Sequence, residues 1–370
     1  MLKELLHPIS LAILLLASAS CSDDGTGPAD STDIGSWMEF YEVPGVSVAV
    51  IKDFALDYVA VHGVKSLATR EPVTEQTLFQ AASISKAVSA VGAMRLVQQG
   101  QIALDTDIND YLTSWQLPHN DLQDTEKVTL RRLLSHTAGT TVHGFRGYRY
   151  GESVPTLIQI LEGAPPSNSA PIIVDREPGS GFQYSGGGYV LMQLALMDIT
   201  GDAFPDLMRD LVFQPIGMDQ STFEQPLPES WLNAASTGYY ASGQAVPGGH
   251  HIYPEMAAAG LWTTPADLAQ LLIELQLSLR GESNSVLSRE SVQLLLTAVS
   301  DNYALGFGVW SQSGEPYFGH GGANDGFRCN MVAHRSDGFG VVVMTNSDNG
   351  SDLADAVVRL IGDREGWPGY

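Results

Sequence analysis

Residues 79–88 read Phe79-Gln80-Ala81-Ala82-Ser83-Ile84-Ser85-Lys86-Ala87-Val88, and Lys86 is the only charged side chain between Gln76 and Met94. A helix carrying Ala, Ile, Val and Met around most of its circumference reads as buried, and a lone ammonium inside it is costly unless paired or deprotonated. Positions i and i+3 share one helix face, with Cβ atoms about 5–6 Å apart. The Ser83 hydroxyl therefore lies within reach of the Lys86 amine, which is a nucleophile beside its base. The competing reading is a lysine snorkelling out of a partly exposed helix. Spacing alone does not separate the two, but of the five lysines only Lys86 has a serine three residues before it.

Outward from this helix, Val46 to Ile51 and Asp57 to His62 read as β-strands joined by a turn at Asp53, because valines and β-branched residues dominate both runs. Gln99-Gly100 caps the helix at its far end. From Asp105 to about Ser300 the pattern is helices and loops, clearest at Leu130 to Ser135, Val190 to Thr200, Ala203 to Val212, Pro265 to Leu279 and Ser288 to Thr297. Strand signals return at Ala304 to Trp310, Tyr317 to His320, Phe327 to His334 and Gly338 to Thr345, followed by a helix over Asp352 to Ile361. The expected fold class is α+β: an antiparallel sheet flanked by helices and built from both chain ends, with an inserted all-helical domain. The expected boundaries are 37–104 and 301–365 for the sheet domain and 105–300 for the helical one, with a site in the cleft between them.

Residues 1–21 read as a signal peptide: Lys3 gives the positive start, Ile9 to Ala17 the apolar run, and Ala17-Ser18-Ala19-Ser20 the small residues before Cys21. Cys21 in this position resembles the acylated cysteine of a bacterial lipobox, although Ser18 stands where leucine is usual. Residues 22–36, rich in Asp, Gly, Ser and Thr, then form a flexible tether, and the protein is expected to be exported and held to a membrane by lipid alone. With Cys21 acylated only Cys329 remains, so no internal disulfide supports the fold. The net charge of −23 disfavours nucleic acid and other polyanions as partners.

Three motifs in order, Ser83-x-x-Lys86, Thr129-Leu130-Arg131-Arg132-Leu133-Leu134-Ser135-His136-Thr137-Ala138-Gly139 and Phe182-Gln183-Tyr184-Ser185-Gly186-Gly187-Gly188-Tyr189, resemble the serine β-lactamase and penicillin-binding-protein superfamily. Within it the pattern is similar to the branch related to class C β-lactamases, which includes DD-peptidases, D-amino-acid peptidases and esterases. Ala258-Ala259-Gly260-Leu261-Trp262-Thr263-Thr264-Pro265 and His320-Gly321-Gly322 extend the resemblance over about Ser36 to Ile361. It implies a β-lactamase/transpeptidase-like fold and no cofactor.

The resemblance further implies Ser83, Lys86, Tyr184 and His320 as catalytic residues. Tyr184 would sit between nucleophile and leaving group and shuttle the proton, with either Lys86 or Tyr184 as the general base, its phenol expected to be made more acidic by the neighbouring ammonium. Gly186 stands where the motif expects Asn, which removes an amide that would grip the substrate. His320-Gly321-Gly322 replaces the strand motif Lys-Thr-Gly, since no lysine follows Lys127. His320 would orient the substrate or tune Tyr184, Gly321 and Gly322 would leave the strand open to it, and the N–H groups of Ser83 and Ala323 would form the oxyanion hole. His250-His251 and the pair His136 and His143 lack carboxylate or thiol company at ligand spacing, so no metal is expected, and His136 reads as a tie between a helix end and its neighbouring loop.

The reading that follows is an exported serine hydrolase acting through an acyl-enzyme on an ester or a D-amino-acid-containing amide, its substrate a small ester, a peptide or a cell-wall-derived molecule. The alternatives are a β-lactamase or DD-peptidase, a penicillin-recognising lipoprotein that acylates without turnover, and a structural lipoprotein with no reactive serine.

Overall fold

The computed structural model describes residues 27–28 and 32–370. The expected signal segment with Cys21 lies outside the described residues. The chain starts a central sheet with β1 (Gly45–Lys52) and β2 (Ala55–Gly63), leaves it through the short strand β3 (Phe79–Gln80), and touches β3 again with β4 (Trp262–Thr263). It returns to the sheet through β5 (Gly308–Gln312), β6 (Glu315–Asn324), β7 (Phe327–His334) and β8 (Gly340–Thr345). The six long strands lie in the order β2-β1-β8-β7-β6-β5, every neighbouring pair antiparallel. The pairing of β1 with β8 is where the two ends of the chain meet.

β1 is buried on both faces because the sheet is covered twice. Val46, Val48 and Val50 point to one side, into a cluster with Leu353, Val357 and Ile361 of the carboxy-terminal helix Gly350–Glu365. Ala49 and Ile51 point to the other, into the larger core with Leu268, Leu271 and Leu272 of helix Pro265–Arg280. This period-2 division between two cores explains a strand that reads as uniformly apolar.

Several elements depart from the sequence reading. Residues 34–36, expected to be tether, begin the helix Ile34–Tyr41: Asp33 caps it by accepting the Ser36 N–H at 2.9 Å, and Ile34 and Met38 are buried one turn apart. Helix Pro265–Arg280 packs on β1, β2 and β8, although it falls within the stretch assigned to the helical insert. The strand expected from Ala304 begins only at Gly308, because Leu305 N–H donates to Leu295 O and Gly306 N–H to Leu134 O in a turn with Gly306 at φ +86°. The helix expected from Val190 starts at Gly186, where Ser185 caps it by accepting the Gly188 N–H at 2.9 Å.

The Ser83 helix runs Ile84–Gln98 with nearly every residue buried. Its amino-terminal end lies between β6 and the segment Met256–Ala259, and that junction holds the expected functional residues.

Candidate active site

Ser83 stands at the turn between β3 and its helix, immediately after Ala82, whose φ of +49° is unusual for a residue with a side chain. Ala81 holds the entry by donating its N–H to Leu261 O at 2.9 Å and accepting that of Ile84 at 3.1 Å. Ser85 fixes the same crossing through its hydroxyl, which accepts the Leu261 N–H at 3.0 Å. Lys86 points back along the helix, so that Nζ lies 3.1 Å from Ser83 Oγ and 2.8 Å from Ala258 O. With no carboxylate beside it, burial alone pulls the Lys86 amine down to about 7, so a large neutral fraction exists at neutral pH. This is the arrangement a base needs, and the snorkelling alternative fails because Lys86 is only 2% exposed.

Tyr184 reaches the same place from the segment before helix Gly186–Thr200, with Lys86 Nζ 4.9 Å from its ring centre. The expectation of a more acidic phenol is reversed: burial pushes the Tyr184 hydroxyl up, and its interaction with the Ser83 hydroxyl offsets only part of the rise. A neutral or half-charged amine supplies too little positive potential to overcome desolvation, so Tyr184 stays protonated. Below it lies His136, 1% exposed, its ring centre 4.1 Å from that of Tyr184. Nδ1 of His136 accepts the Ser185 N–H at 3.1 Å, which puts the proton on Nε2, and burial holds the ring neutral. His136 thus braces the residue after Tyr184, a more specific tie than its sequence context indicated.

Gly186 and its two successors let a loop cross close to the helix start. A Cβ at Gly186 would stand 3.0 Å from the Phe145 ring, one at Gly187 2.5 Å from Thr141 O, and one at Gly188 2.9 Å from Thr140 Oγ1. Gly186 and Gly187 donate their N–H groups to His143 O and Val142 O, each at 3.0 Å. At Gly186 the Phe145 ring and the His143 carbonyl crowd the place a Cβ would occupy.

β6 forms the opposite wall. The two-residue turn Asp325-Gly326 makes Asn324 and Phe327 the closing pair, and antiparallel alternation then turns the Ala323 N–H away from β7. β5 pairs with β6 only as far as Gly319, so that edge beyond it is open. The Ser83 N–H has no partner among the described residues. Asn324 fastens the strand end, its Nδ2 donating to Gln80 Oε1 at 3.0 Å and to Ala259 O at 3.1 Å. The two glycines differ. A Cβ at Gly322 would sit 2.2 Å from Ala81 O, whereas one at Gly321 would meet nothing nearer than Cys329 O at 3.7 Å. Gly322 therefore serves the contact between β6 and the Ser83 turn, whereas Gly321 faces the other side of the strand and is exposed there.

His320 shares the cleft but is held by Tyr303: Nδ1 lies 2.5 Å from Gly321 O and carries the proton, while Nε2 accepts from the Tyr303 hydroxyl at 3.0 Å. Burial lowers His320 to about 4, with the nearby Lys86 a second cause, so the imidazole is neutral across the physiological range. Tyr303, Asn324 and the Ala258 carbonyl are the functional elements that sequence reasoning missed. Ala258 belonged to a motif already singled out, but Tyr303 stands in an unremarkable loop with no periodic or motif signal.

His250 and His251 are accounted for by packing and hydrogen bonding. His250 stacks edge-on against Trp262 at 4.8 Å, and His251 Nδ1 donates to Arg146 O at 2.8 Å. Among the described residues one group has metal-ligand spacing, Glu315, His334 and Asp337. His334 Nδ1 there already accepts the N–H groups of Ser336 and Asp337, at 3.3 and 3.0 Å, and Nε2 meets Glu315 at 3.3 Å. That group sits at the end of β6 remote from Ser83. Cys329 is buried, its thiol pushed up to about 12, and donates to Gln80 O at 3.2 Å.

Comparison with known proteins places these residues in context. The Beta-lactamase family profile matches residues 34–363. The chain is 26% identical to Penicillin-binding protein 4 of Amycolatopsis lactamdurans, covering 90% of this chain and 91% of that protein. It is 21% identical to Protein flp of Staphylococcus aureus, over 82% of this chain but only 60% of that protein. Among solved structures it resembles the octameric penicillin-binding protein homologue from Pyrococcus abyssi, with a TM-score of 0.72 at 22% identity over 89% of this chain and 75% of that one. The penicillin binding protein from Bacillus halodurans gives a TM-score of 0.69 at 22% identity, over 89% and 98% of the two chains.

Proposed function

The chain belongs to the Beta-lactamase family, and from that premise we propose that it is an exported serine hydrolase, lipid-anchored through Cys21, that works through an acyl-enzyme on esters or D-amino-acid-containing amides. The observation that carries this reading is the buried Lys86 amine, lowered to about 7 and 3.1 Å from Ser83 Oγ. Neutral Lys86 takes the Ser83 proton as Oγ attacks the carbonyl carbon. Negative charge moves to the carbonyl oxygen, which the Ser83 and Ala323 N–H groups hold, each such donor contributing about 3 kcal/mol. Tyr184, kept protonated by burial, gives its proton to the leaving group and recovers one from the Lys86 ammonium. Water attacks the acyl-enzyme with the same groups in reverse, and His320, neutral and fixed by Tyr303, orients the substrate along β6.

Two features favour an ester or D-amino-acid amide over a β-lactam. The Phe145 ring and the His143 carbonyl crowd the place where an amide side chain at position 186 would begin, and neutral His320 takes the place of a cationic lysine. A second reading rests on the first of these: without that amide the acyl-enzyme would persist, and the protein would act as a sensor that binds covalently. A relationship to class C β-lactamases in particular belongs to the proposal, resting on the Tyr184-Ser185-Gly186 and His320-Gly321-Gly322 motifs.

The test is labelling with a fluorophosphonate followed by peptide mapping, in wild type and in Ser83→Ala. Adduct on Ser83 alone is expected, and an unlabelled wild-type protein would refute the assignment. Turnover of p-nitrophenyl esters, D-alanyl peptides and nitrocefin orders the substrates, with nitrocefin fastest by a wide margin contradicting the ester preference. An intact-mass time course separates hydrolase from sensor by the return to free mass.

A further inference from the structure

A pocket of about 200 Å³ is lined by Arg146, Gly147, Arg149, Glu152, Asn168 and His251. Deepening the hydrolase reading, on which it rests, we infer that this pocket is a subsite for a carboxylate at the far end of the substrate.

The walls are built rather than incidental. Tyr148 and Ile252 exchange both backbone hydrogen bonds, at 2.8 and 2.7 Å, which pins the arginine-bearing loop to the His251 segment. Gly147 adopts φ +70°, and a Cβ there would press 2.7 Å from the Tyr253 ring and 2.9 Å from His251 Cβ, so only glycine allows the contact. Asn168 closes another side, its Nδ2 donating to Gly147 O at 2.8 Å and its N–H to the Tyr148 hydroxyl at 3.1 Å.

Charge decides the ligand. In a chain with 42 acidic and 19 basic residues, six of the fourteen arginines, Arg131, Arg132, Arg209, Arg280, Arg328 and Arg364, pair with carboxylates. Arg146 and Arg149 form no ion pair within 4.0 Å among the described residues, yet both face this pocket. The acid in the wall, Glu152, turns Oε2 to the Arg149 N–H at 2.9 Å. His251 is 4% exposed with no hydrogen-bond partner at Nε2, and Asp325 lies 3.5 Å from its Nδ1. Two unpaired guanidiniums offer planar donor forks that suit a carboxylate.

Position ties the pocket to the chemistry. The His251 carbonyl accepts from Gln80 Nε2 at 2.7 Å, three residues before Ser83, and Asp325 follows Ala323 by two residues. A substrate lying along β6 with its reacting carbonyl at Ser83 would send its far end past the β6–β7 turn toward the arginines.

The test compares p-nitrophenyl monoesters of succinate, glutarate and adipate with the uncharged p-nitrophenyl alkanoates of equal length, in wild type and in R146Q/R149Q. In wild type at least one acid is expected to exceed its uncharged partner about tenfold in kcat/KM, through KM, and the double variant to bring that ratio near one. A ratio unchanged by the double substitution overturns the inference. Calorimetric titration with free glutarate is read separately: binding by wild type that is lost in the variant supports the subsite even if no ester turns over, an outcome that would fail the hydrolase reading alone. Equal binding by both proteins, or none by wild type, counts against the subsite.

Discussion

The Tyr303 hydroxyl lies 3.0 Å from Nε2 of His320, so the imidazole on β6 is oriented by a phenol from the loop that precedes β5. Removing that hydroxyl leaves the ring in place without its donor. Tyr303→Phe is expected to lower kcat/KM about fivefold, the worth of one hydrogen bond, and to raise the His320 titration from about 4, because the bond favours the neutral ring. Steady-state rates with NMR titration of the imidazole check both, and an unchanged rate and titration would remove Tyr303 from the site.

Under the proposed mechanism, the pH dependence of turnover follows from the burial that lowers the Lys86 amine. As its amine loses a proton near 7, kcat/KM should climb through an apparent pKa of about 7 and level off above it. A rate that is flat from pH 5 to 9 would show that Lys86 is not the base.

Lys86→Met carries the stability counterpart. The folded amine titrates near 7 and the unfolded one near 10.5, so between these values Lys86 binds more protons in the unfolded chain and its contribution to stability rises with pH. The penalty of burying Lys86 is full below pH 7 and fades toward pH 10.5. Denaturant unfolding should therefore show any advantage of Lys86→Met shrinking across that window, while its kcat falls about 10²- to 10⁴-fold. A constant stability difference from pH 7 to 10 would contradict the assignment.

The paired glycines of β6 predict unequal outcomes. Gly322→Ala forces a Cβ to 2.2 Å from Ala81 O, so it should cost about 1–3 kcal/mol and displace the strand from the nucleophile turn, with a large loss of activity. Gly321→Ala meets only Cys329 O at 3.7 Å and should fold as wild type. Melting temperatures and ester turnover of the two variants check the contrast, and equal destabilisation would refute it.

Glu255 lies immediately before the segment whose Ala258 carbonyl holds Lys86, fully buried, with the Tyr148 hydroxyl beside its carboxyl and no cation there among the described residues. Burial raises it to about 8, against an ordinary 4.5. The folded state keeps the proton across that window, so the contribution of Glu255 to stability falls as pH rises from 4.5 to 8, and the loss is complete above 8. Glu255→Gln should abolish this decline, gaining on wild type by up to about 4 kcal/mol between pH 5 and 8. Parallel unfolding curves at the two pH values would show that Glu255 ionises freely.

Much of the fold was legible because it depends on local pattern. The Phe327–His334 strand was located to the residue, and both arms of the sheet were visible as valine-rich runs. The boundaries that slipped did so where a distant partner intervened: Leu295 and Leu134 holding the turn at residues 304–307, and the carboxy-terminal helix giving Ile34 and Met38 a surface to cover.

Ser83 and Lys86 could be paired from their positions alone, because three residues along a helix bring two side chains to one face whatever surrounds them. The Ala258 carbonyl on the amine, the Tyr303 phenol on His320, the Ala81 carbonyl against Gly322 and the upward shift of Tyr184 all arise between segments far apart in the chain. Desolvation and close approach are properties of the packed whole, so the chain order could name the reactive groups while only their enclosure decided which of them is charged.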